Sequence, residues 1–258
     1  MDLLDNIRQS DLRLYLTAPY TCTYLPDQQA RSQVASPGFL VTPDVYSHLI
    51  LQGFRRSGTF TYRPRCDSCQ ACVPVRVKVA DFTPNRTQRR TWRRHQSLHA
   101  TFQGLEEQEE YYKLYQRYQS VRHPGGMNND NRTQYQNFLL QSQVNTMQVA
   151  FRNSGVLRMV SIIDLLKDGL SAVYTYYDPD VPQASFGVYS VLWQIELCRR
   201  LGLEYLYLGY WVKNSEKIAY KKNFQPQQGF KQGKWQVLES VDNHATDNCQ
   251  QTLATDTV

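Results

Sequence analysis

The sequence predicts an α+β protein: a small cysteine- and arginine-rich unit over residues 1–103, a mixed-sheet domain over residues 104–239, and a disordered polar tail over residues 240–258. Three observations predict it. Residues 1–100 are rich in Pro, Cys and Arg, whereas longer periodic patterns begin near Gly104, which puts a boundary at Ala100–Gly104. Period-two alternation then marks successive strands between Met147 and Tyr177. An amphipathic helix separates these from a further strand pattern, and such mixing of strands and helices belongs to a sheet with helices packed on it. The stretch after Ser240 lacks aromatics and carries few apolar residues, too little to offset the entropy of ordering, and Cys249 lies within it.

Taken in order, Arg86, Arg89, Arg90, Arg93 and Arg94 recur at helical spacings of three and four, with Trp92 interleaved. The second unit opens with a helix in which Leu105, Tyr112, Tyr115 and Tyr118 share one face. Its acids come first and Lys113 and Arg117 follow, as the helix dipole favours. A Pro-Gly-Gly loop at Pro124–Gly126 precedes a short helix around Thr133–Gln141. Strands are expected at Met147–Arg152, Val156–Leu165 and Leu170–Tyr177, the last two joined as a hairpin by Lys167-Asp168-Gly169. After the Asp178-Pro179-Asp180 turn, Val188, Val191, Leu192, Ile195, Cys198 and Leu201 line one helix face, and Gly202 stands where a C-terminal cap belongs. A strand at Leu203–Tyr210 and a basic helix at Ser215–Lys222 complete an order that fits an acetyltransferase-like (GNAT) sheet.

Composition narrows the class. The 258 residues are 41% hydrophobic and 12% aromatic, with 18 Tyr, which is ample for a packed core. No run approaches the ~18 apolar residues of a membrane span, and Met1-Asp2-Leu3-Leu4-Asp5 has no secretory character, so the expected location is the cytoplasm. Clustered cysteines in such a chain read as metal or redox ligands rather than as a disulfide framework. The net charge of +6 is unevenly spread: Gly53–Arg94 holds ten Arg and one Lys against Asp67 and Asp81. That concentration is the footprint of a polyanion contact or of a solvated face.

The words of the sequence add to its pattern. Gly53-Phe-Arg-Arg-Ser-Gly58, Tyr62-Arg-Pro-Arg-Cys-Asp-Ser-Cys-Gln-Ala-Cys-Val-Pro-Val-Arg76, Arg122-His-Pro-Gly-Gly-Met127, Ala172-Val-Tyr-Thr-Tyr-Tyr-Asp-Pro179 and Tyr205-Leu-Tyr-Leu-Gly-Tyr-Trp211 together resemble the arginyl-tRNA–protein transferase family, in particular its bacterial leucyltransferase branch. The resemblance runs from about residue 10 to about residue 235. It implies an aminoacyltransferase that adds leucine from leucyl-tRNA to proteins beginning with Asp or Glu, marking them for N-degron proteolysis, on an acetyltransferase-like C-terminal domain. Eukaryotic arginyltransferases carry Cys-Gly-Tyr-Cys near the N-terminus, whereas this chain reads Cys22-Thr23-Tyr24-Leu25.

Such a reaction must hold an RNA, orient an ester beside an amine, and remove a proton from an ammonium of pKa about 7.7–8.0. The arginines at 86, 89, 90, 93 and 94 are the candidates for tRNA phosphates. Arg55, Arg56, Arg63 and Arg65 add charge, and one of them can pair with an acidic substrate side chain. Arg63 and Arg65 are assigned to that role. Asp178 and His123 are the candidate bases, with Tyr176 beside Asp178. Tyr174, Tyr207, Tyr210 and Lys213 are candidate substrate contacts, while Lys217, Lys221 and Lys222 either hold RNA or a carboxylate or are merely exposed. Cys66, Cys69 and Cys72 are spaced closely enough to share a metal, with Cys22 as a fourth ligand. Zinc, an iron–sulfur cluster and plain reduced thiols all remain open, and no cofactor is required for the transfer itself. Cys198 belongs to the core.

Two other readings compete. One is a non-catalytic, metal-containing RNA-binding protein. The other is an acetyl-CoA-dependent acyltransferase, disfavoured because Asp178-Pro-Asp-Val-Pro-Gln-Ala-Ser-Phe-Gly187 lacks the Arg/Gln-x-x-Gly-x-Gly/Ala loop that holds a pyrophosphate. The amides at that helix start remain able to receive a terminal phosphate of the tRNA.

Overall fold

The structure, a computed structural model, describes residues 11–123, 131–213 and 215–238. The expected Pro-Gly-Gly loop and the tail from residue 240, Cys249 included, lie outside these residues.

The first part of the chain forms β1 (Arg13–Leu16), β2 (Tyr20–Thr21), β3 (Gln29–Ala30), β4 (Ser32–Ser36), α1 (Pro43–Leu51), β5 (Arg55–Ser57), β6 (Phe60–Pro64) and β7 (Val73–Lys78). Then come α2 (Arg86–Arg94), β8 (His99–Gln103), α3 (Glu109–Arg122) and α4 (Arg132–Tyr135), which runs into a π-helical turn at Gln136–Leu140. The remainder is β9 (Thr146–Asn153), β10 (Val156–Leu165), β11 (Gly169–Tyr177), α5 (Phe186–Leu201), β12 (Tyr205–Trp211), a 3-10 segment (Glu216–Asn223), β13 (Gln227–Lys231) and β14 (Lys234–Val237).

Local chemistry explains the best-defined elements. Thr42 caps α1 ahead of Pro43, and Asn85 with Gln88 forms a reciprocal capping box on α2. Gly202, at φ +67°, ends α5 in the left-handed conformation expected of it. The β10–β11 hairpin forms in the expected place. Two expectations shift. The helix expected from Leu105 starts at Glu109, because Gln148 Oε1 takes the Glu106 N–H at 3.1 Å and holds the preceding residues extended against β9. The expected helix at Ser215–Lys222 is a 3-10 turn rather than an α-helix.

Eight strands form one mixed sheet in the order β14-β13-β7-β12-β11-β10-β9-β8, and β1-β4-β6-β5 form a second, smaller sheet. Two strands from before residue 104, β7 and β8, thus belong to the large sheet. On one face of it, Leu206, Leu208, Val149 and Phe151 pack beneath Tyr189, Leu192 and Ile195 of α5. On the other face, a tyrosine-rich layer from α3 and α4 covers Val160, Ile162 and Tyr176. Beside it α1 and the small sheet enclose Tyr207.

All neighbouring pairs in the large sheet are antiparallel except β11 and β12, which the α5 crossover makes parallel. That pair is joined only at Gly169↔Tyr205, Leu170↔Leu206 and Ser171↔Tyr207, and the strands then part. A Cβ on Gly169 would lie 2.2 Å from the Tyr205 carbonyl oxygen, so only glycine permits this seam.

Candidate active site

The arginines that the sequence groups together are separated by the fold into distinct environments. Arg56 is buried and fully engaged: its guanidinium forks onto Asp164 of β10 at 2.6 and 2.8 Å, and Thr146 adds a hydroxyl at 2.7 Å. Arg55 is buried where β11 and β12 part. It donates to Ser171 Oγ at 3.0 Å, to the Ala172 carbonyl at 2.5 Å and to the Tyr207 carbonyl at 3.4 Å, satisfying backbone acceptors that the separated strands leave over. Gly209, at φ +80°, makes room for it, since a Cβ there would meet the guanidinium at 3.2 Å.

Arg63 and Arg65 instead line a cavity of about 1230 Å³ between the small sheet, the cysteine segment and β12–β13. Arg63 is held by Gln33 Oε1 at 2.9 Å and the Gln52 carbonyl at 3.0 Å, and it lies over the Phe54 ring. Burial and the neighbouring Arg65 lower its pKa. Arg31 and Lys231 also line the cavity, Arg31 paired with Asp67 at 3.2 Å. Among the described residues, no carboxylate lines it. Its inner wall is Tyr62 and Tyr210, and the Tyr210 hydroxyl donates to the Gly53 carbonyl at 3.0 Å.

The fold brings Cys22, Cys66, Cys69 and Cys72 to this same cavity, although Cys22 lies far from the others in sequence. The β2–β3 hairpin delivers it, with the Cys22 N–H on the Gln28 carbonyl at 2.9 Å. Burial, then the proximity of the other three sulfurs, pushes the Cys72 thiol up to about 12. Four thiols on one wall are the donor chemistry of zinc or an iron–sulfur cluster. Among the described residues, no three His, Cys, Asp or Glu side chains converge closely enough to hold a metal between them.

The other candidates are more scattered. Asp178 is buried and both of its carboxylate oxygens are engaged, one by Arg117 at 2.8 Å and the other by Arg158 at 2.6 Å. It anchors the turn after β11, where Asp178 Oδ1 also accepts the Asp180 N–H at 3.2 Å. Tyr176 is wholly buried, its hydroxyl 3.1 Å from that of Tyr135. Tyr174 faces the same layer and accepts from Gln119 at 3.2 Å. His123 caps α3 with its ring against Tyr118. Tyr207 is buried between Asp168, to which it donates at 2.7 Å, and Arg76, which donates to it at 3.0 Å. Lys213 and Lys222 are exposed, Cys198 is in the core, and the side chain of Lys217 lies outside the described residues.

On α2, Arg86, Arg89, Arg90, Arg93 and Arg94 are all exposed, while Gln88, Thr91 and Trp92 pack inward. Among the described residues, none of the five forms an ion pair. Arg94 and Arg89 donate only to the carbonyls of Gln183 and Pro84. Burial lowers the pKa of His95, at the end of this helix, where its ring stacks on that of Phe186.

Sequence reasoning left one group open between binding and mere exposure. Lys221 has the look of an exposed helix lysine, yet it is half-buried and its Nζ donates to the Tyr210 carbonyl at 2.9 Å. The pairing of β11 with β12 stops at Ser171↔Tyr207, so at Tyr210 no strand amide arrives from that side and the carbonyl takes the lysine instead.

With this geometry in place, comparison with known proteins is informative. Residues 20–90 match the family model for the N terminus of arginine-tRNA-protein transferase, and residues 110–231 match that for its C terminus. Aspartate/glutamate leucyltransferase of Nitrosospira multiformis is 54% identical over 95% of this chain and 98% of its own. The proteins of that name from Polynucleobacter asymbioticus and Thiobacillus denitrificans are 51% and 55% identical, over 92% and 89% of this chain and 99% and 96% of theirs. Among solved structures, FemX aligns over 84% of this chain and 86% of its own at 8% identity, with a TM-score of 0.45.

Proposed function

This chain is an aminoacyltransferase belonging to the arginine-tRNA-protein transferase family, in its leucyltransferase branch, and on that premise we propose that it moves leucine from leucyl-tRNA to the α-amino group of proteins beginning with Asp or Glu. The observation that carries the acceptor half of this reading is the cavity lined by Arg31, Arg63, Arg65 and Lys231, with no carboxylate on it among the described residues. Arg63 is fixed by acceptors on its Nε and on Nη1, which leaves Nη2 for an incoming acceptor. An entering Asp or Glu side chain would meet a preoriented guanidinium with Arg65 beside it, the geometry that carboxylates bind best. Asn or Gln would leave those cations uncompensated, which is how a site built for a charge rejects its neutral isostere.

For the donor, the exposed arginine face of α2 is suited to phosphates of the tRNA. The acetyltransferase-like reading of the sheet is supported by the β11–α5–β12 unit with its parting parallel strands. The 178–187 turn has no glycine pattern for a pyrophosphate, which speaks for an RNA-borne acyl group over acetyl-CoA. The same reading gives Cys22, Cys66, Cys69 and Cys72 as holders of a metal or cluster. Bound there, it would tie the cysteine segment to the β2–β3 hairpin and so brace one wall of the acceptor cavity.

The test is one matrix: leucyl- and arginyl-tRNA, each radiolabelled, against peptides beginning with Asp, Glu, Asn and Gln. Label should move from leucyl-tRNA to Asp and Glu peptides. Equal rates on all four peptides would remove the acidic-acceptor reading.

A further inference from the structure

Where β11 and β12 part, the structure holds two cations. Arg55 fills the inner end of the gap, on the carbonyls of Ala172 and Tyr207. Lys221 stands at the edge of β12, on the Tyr210 carbonyl. Among the described residues, neither forms an ion pair, which is unusual for a buried arginine such as Arg55. Tyr210 links this place to the cavity: its carbonyl holds Lys221 and its ring is the cavity's inner wall.

Building on the transferase reading above, we propose that Lys221 Nζ is the catalytic base that takes a proton from the acceptor's α-ammonium, with Arg55 as its positioning residue. Its hydrogen bond to a carbonyl employs one N–H and leaves the nitrogen lone pair to face elsewhere. Burial, and then Arg55, the charged group that acts on Lys221 among the described residues, lower the lysine to about 7. A base so poised matches an ammonium of pKa about 7.7–8.0.

The protons balance. The α-ammonium carries three and the product amide keeps one. The first passes to Lys221 and on to solvent. The freed amine pair then forms the C–N bond to the leucyl carbonyl carbon. As the C–O bond to the ribose breaks, its electron pair stays on that oxygen, which takes the second proton.

The experiment uses the full chain with leucyl-tRNA and an Asp peptide. Lys221→Arg retains the charge and nearly the reach but does not deprotonate, and Lys221→Ala removes the nitrogen. Both should lower kcat by about 10²–10⁴-fold with leucyl-tRNA binding unchanged by filter retention. The acid limb of the wild-type rate near pH 7 should vanish in both variants. Added methylamine should restore Lys221→Ala in proportion to its unprotonated fraction. A Lys221→Arg protein with wild-type kcat would overturn the proposal, since a fixed cation would then suffice, and so would Lys221→Ala keeping the wild-type pH profile. If wild type transfers nothing from either tRNA to any peptide, the transferase reading fails and this inference goes with it.

Discussion

Arg56 and Asp164 meet edge to edge in the interior, 108 residues apart in sequence, and fasten the small sheet to β10 of the large one. Both side chains are essentially out of solvent. Removing one partner strands the other as an uncompensated buried charge, so Arg56→Met should cost about 3–5 kcal/mol of unfolding free energy. Denaturant titration measures it. A loss under about 1 kcal/mol would mean that water reaches Asp164 once the arginine is gone.

The same pairing decides which arginines remain for substrate. With Arg56 on Asp164 and Arg55 on backbone carbonyls, Arg63 and Arg65 are the two of these four that face the cavity. Substituting either with Met should raise KM for Asp and Glu peptides about tenfold or more, the scale of a lost charged hydrogen bond, while leucyl-tRNA binding is untouched. Steady-state kinetics with peptide varied at saturating tRNA reads this directly. A change confined to tRNA affinity would reassign the pair to the nucleic acid.

Arg90→Gln with Arg93→Gln removes two exposed charges from α2 without touching its capping box or its packed face. The logarithmic salt dependence of tRNA binding should become shallower by roughly 1–2. The comparison is of Kd across a salt series, with helix content checked by circular dichroism. An identical slope in the folded double variant would show that the face is simply solvated.

The thiols offer a chemical readout. If a metal or cluster is held, anaerobically purified protein should carry about one metal or cluster per chain, with coordinated cysteines resisting alkylation until chelator is added. In metal-free protein, Cys72 should remain the least reactive of the four toward iodoacetamide at pH 8. Its thiol, raised to about 12, is protonated there, and only the thiolate reacts. Metal content below about a tenth per chain, with unchanged stability in chelator, would leave reduced thiols as the answer.

What the sequence made legible is what depends on near neighbours. α5 and the β10–β11 hairpin can be placed because periodicity and turn residues act within a few positions. The helical arginine face is legible for the same reason. The strands of the first unit are two to six residues long and were not readable as a sheet. Asp178 stands out in sequence as a residue at a turn before proline, but its partners Arg117 and Arg158 arrive from another helix and another strand, which no local pattern shows. Lys221 was hidden by the reverse effect. Nothing adjacent to it in sequence shows that β11 parts from β12 and leaves the Tyr210 carbonyl to an outside donor.

The place of β7 in the large sheet also sets an order of events in time. It ends at Lys78, but its two sheet neighbours begin at Tyr205 and Gln227. At a synthesis rate of about 5–20 residues per second, a valine-rich strand therefore waits about 6–25 s on the ribosome before either edge can be covered. The wall of the cavity that carries Tyr210 is missing throughout that interval, so the cysteine segment is made long before its enclosure exists. Contacts of such sequence separation form late and slowly. The exposed edge of β7 is where chaperones or other nascent chains would engage first.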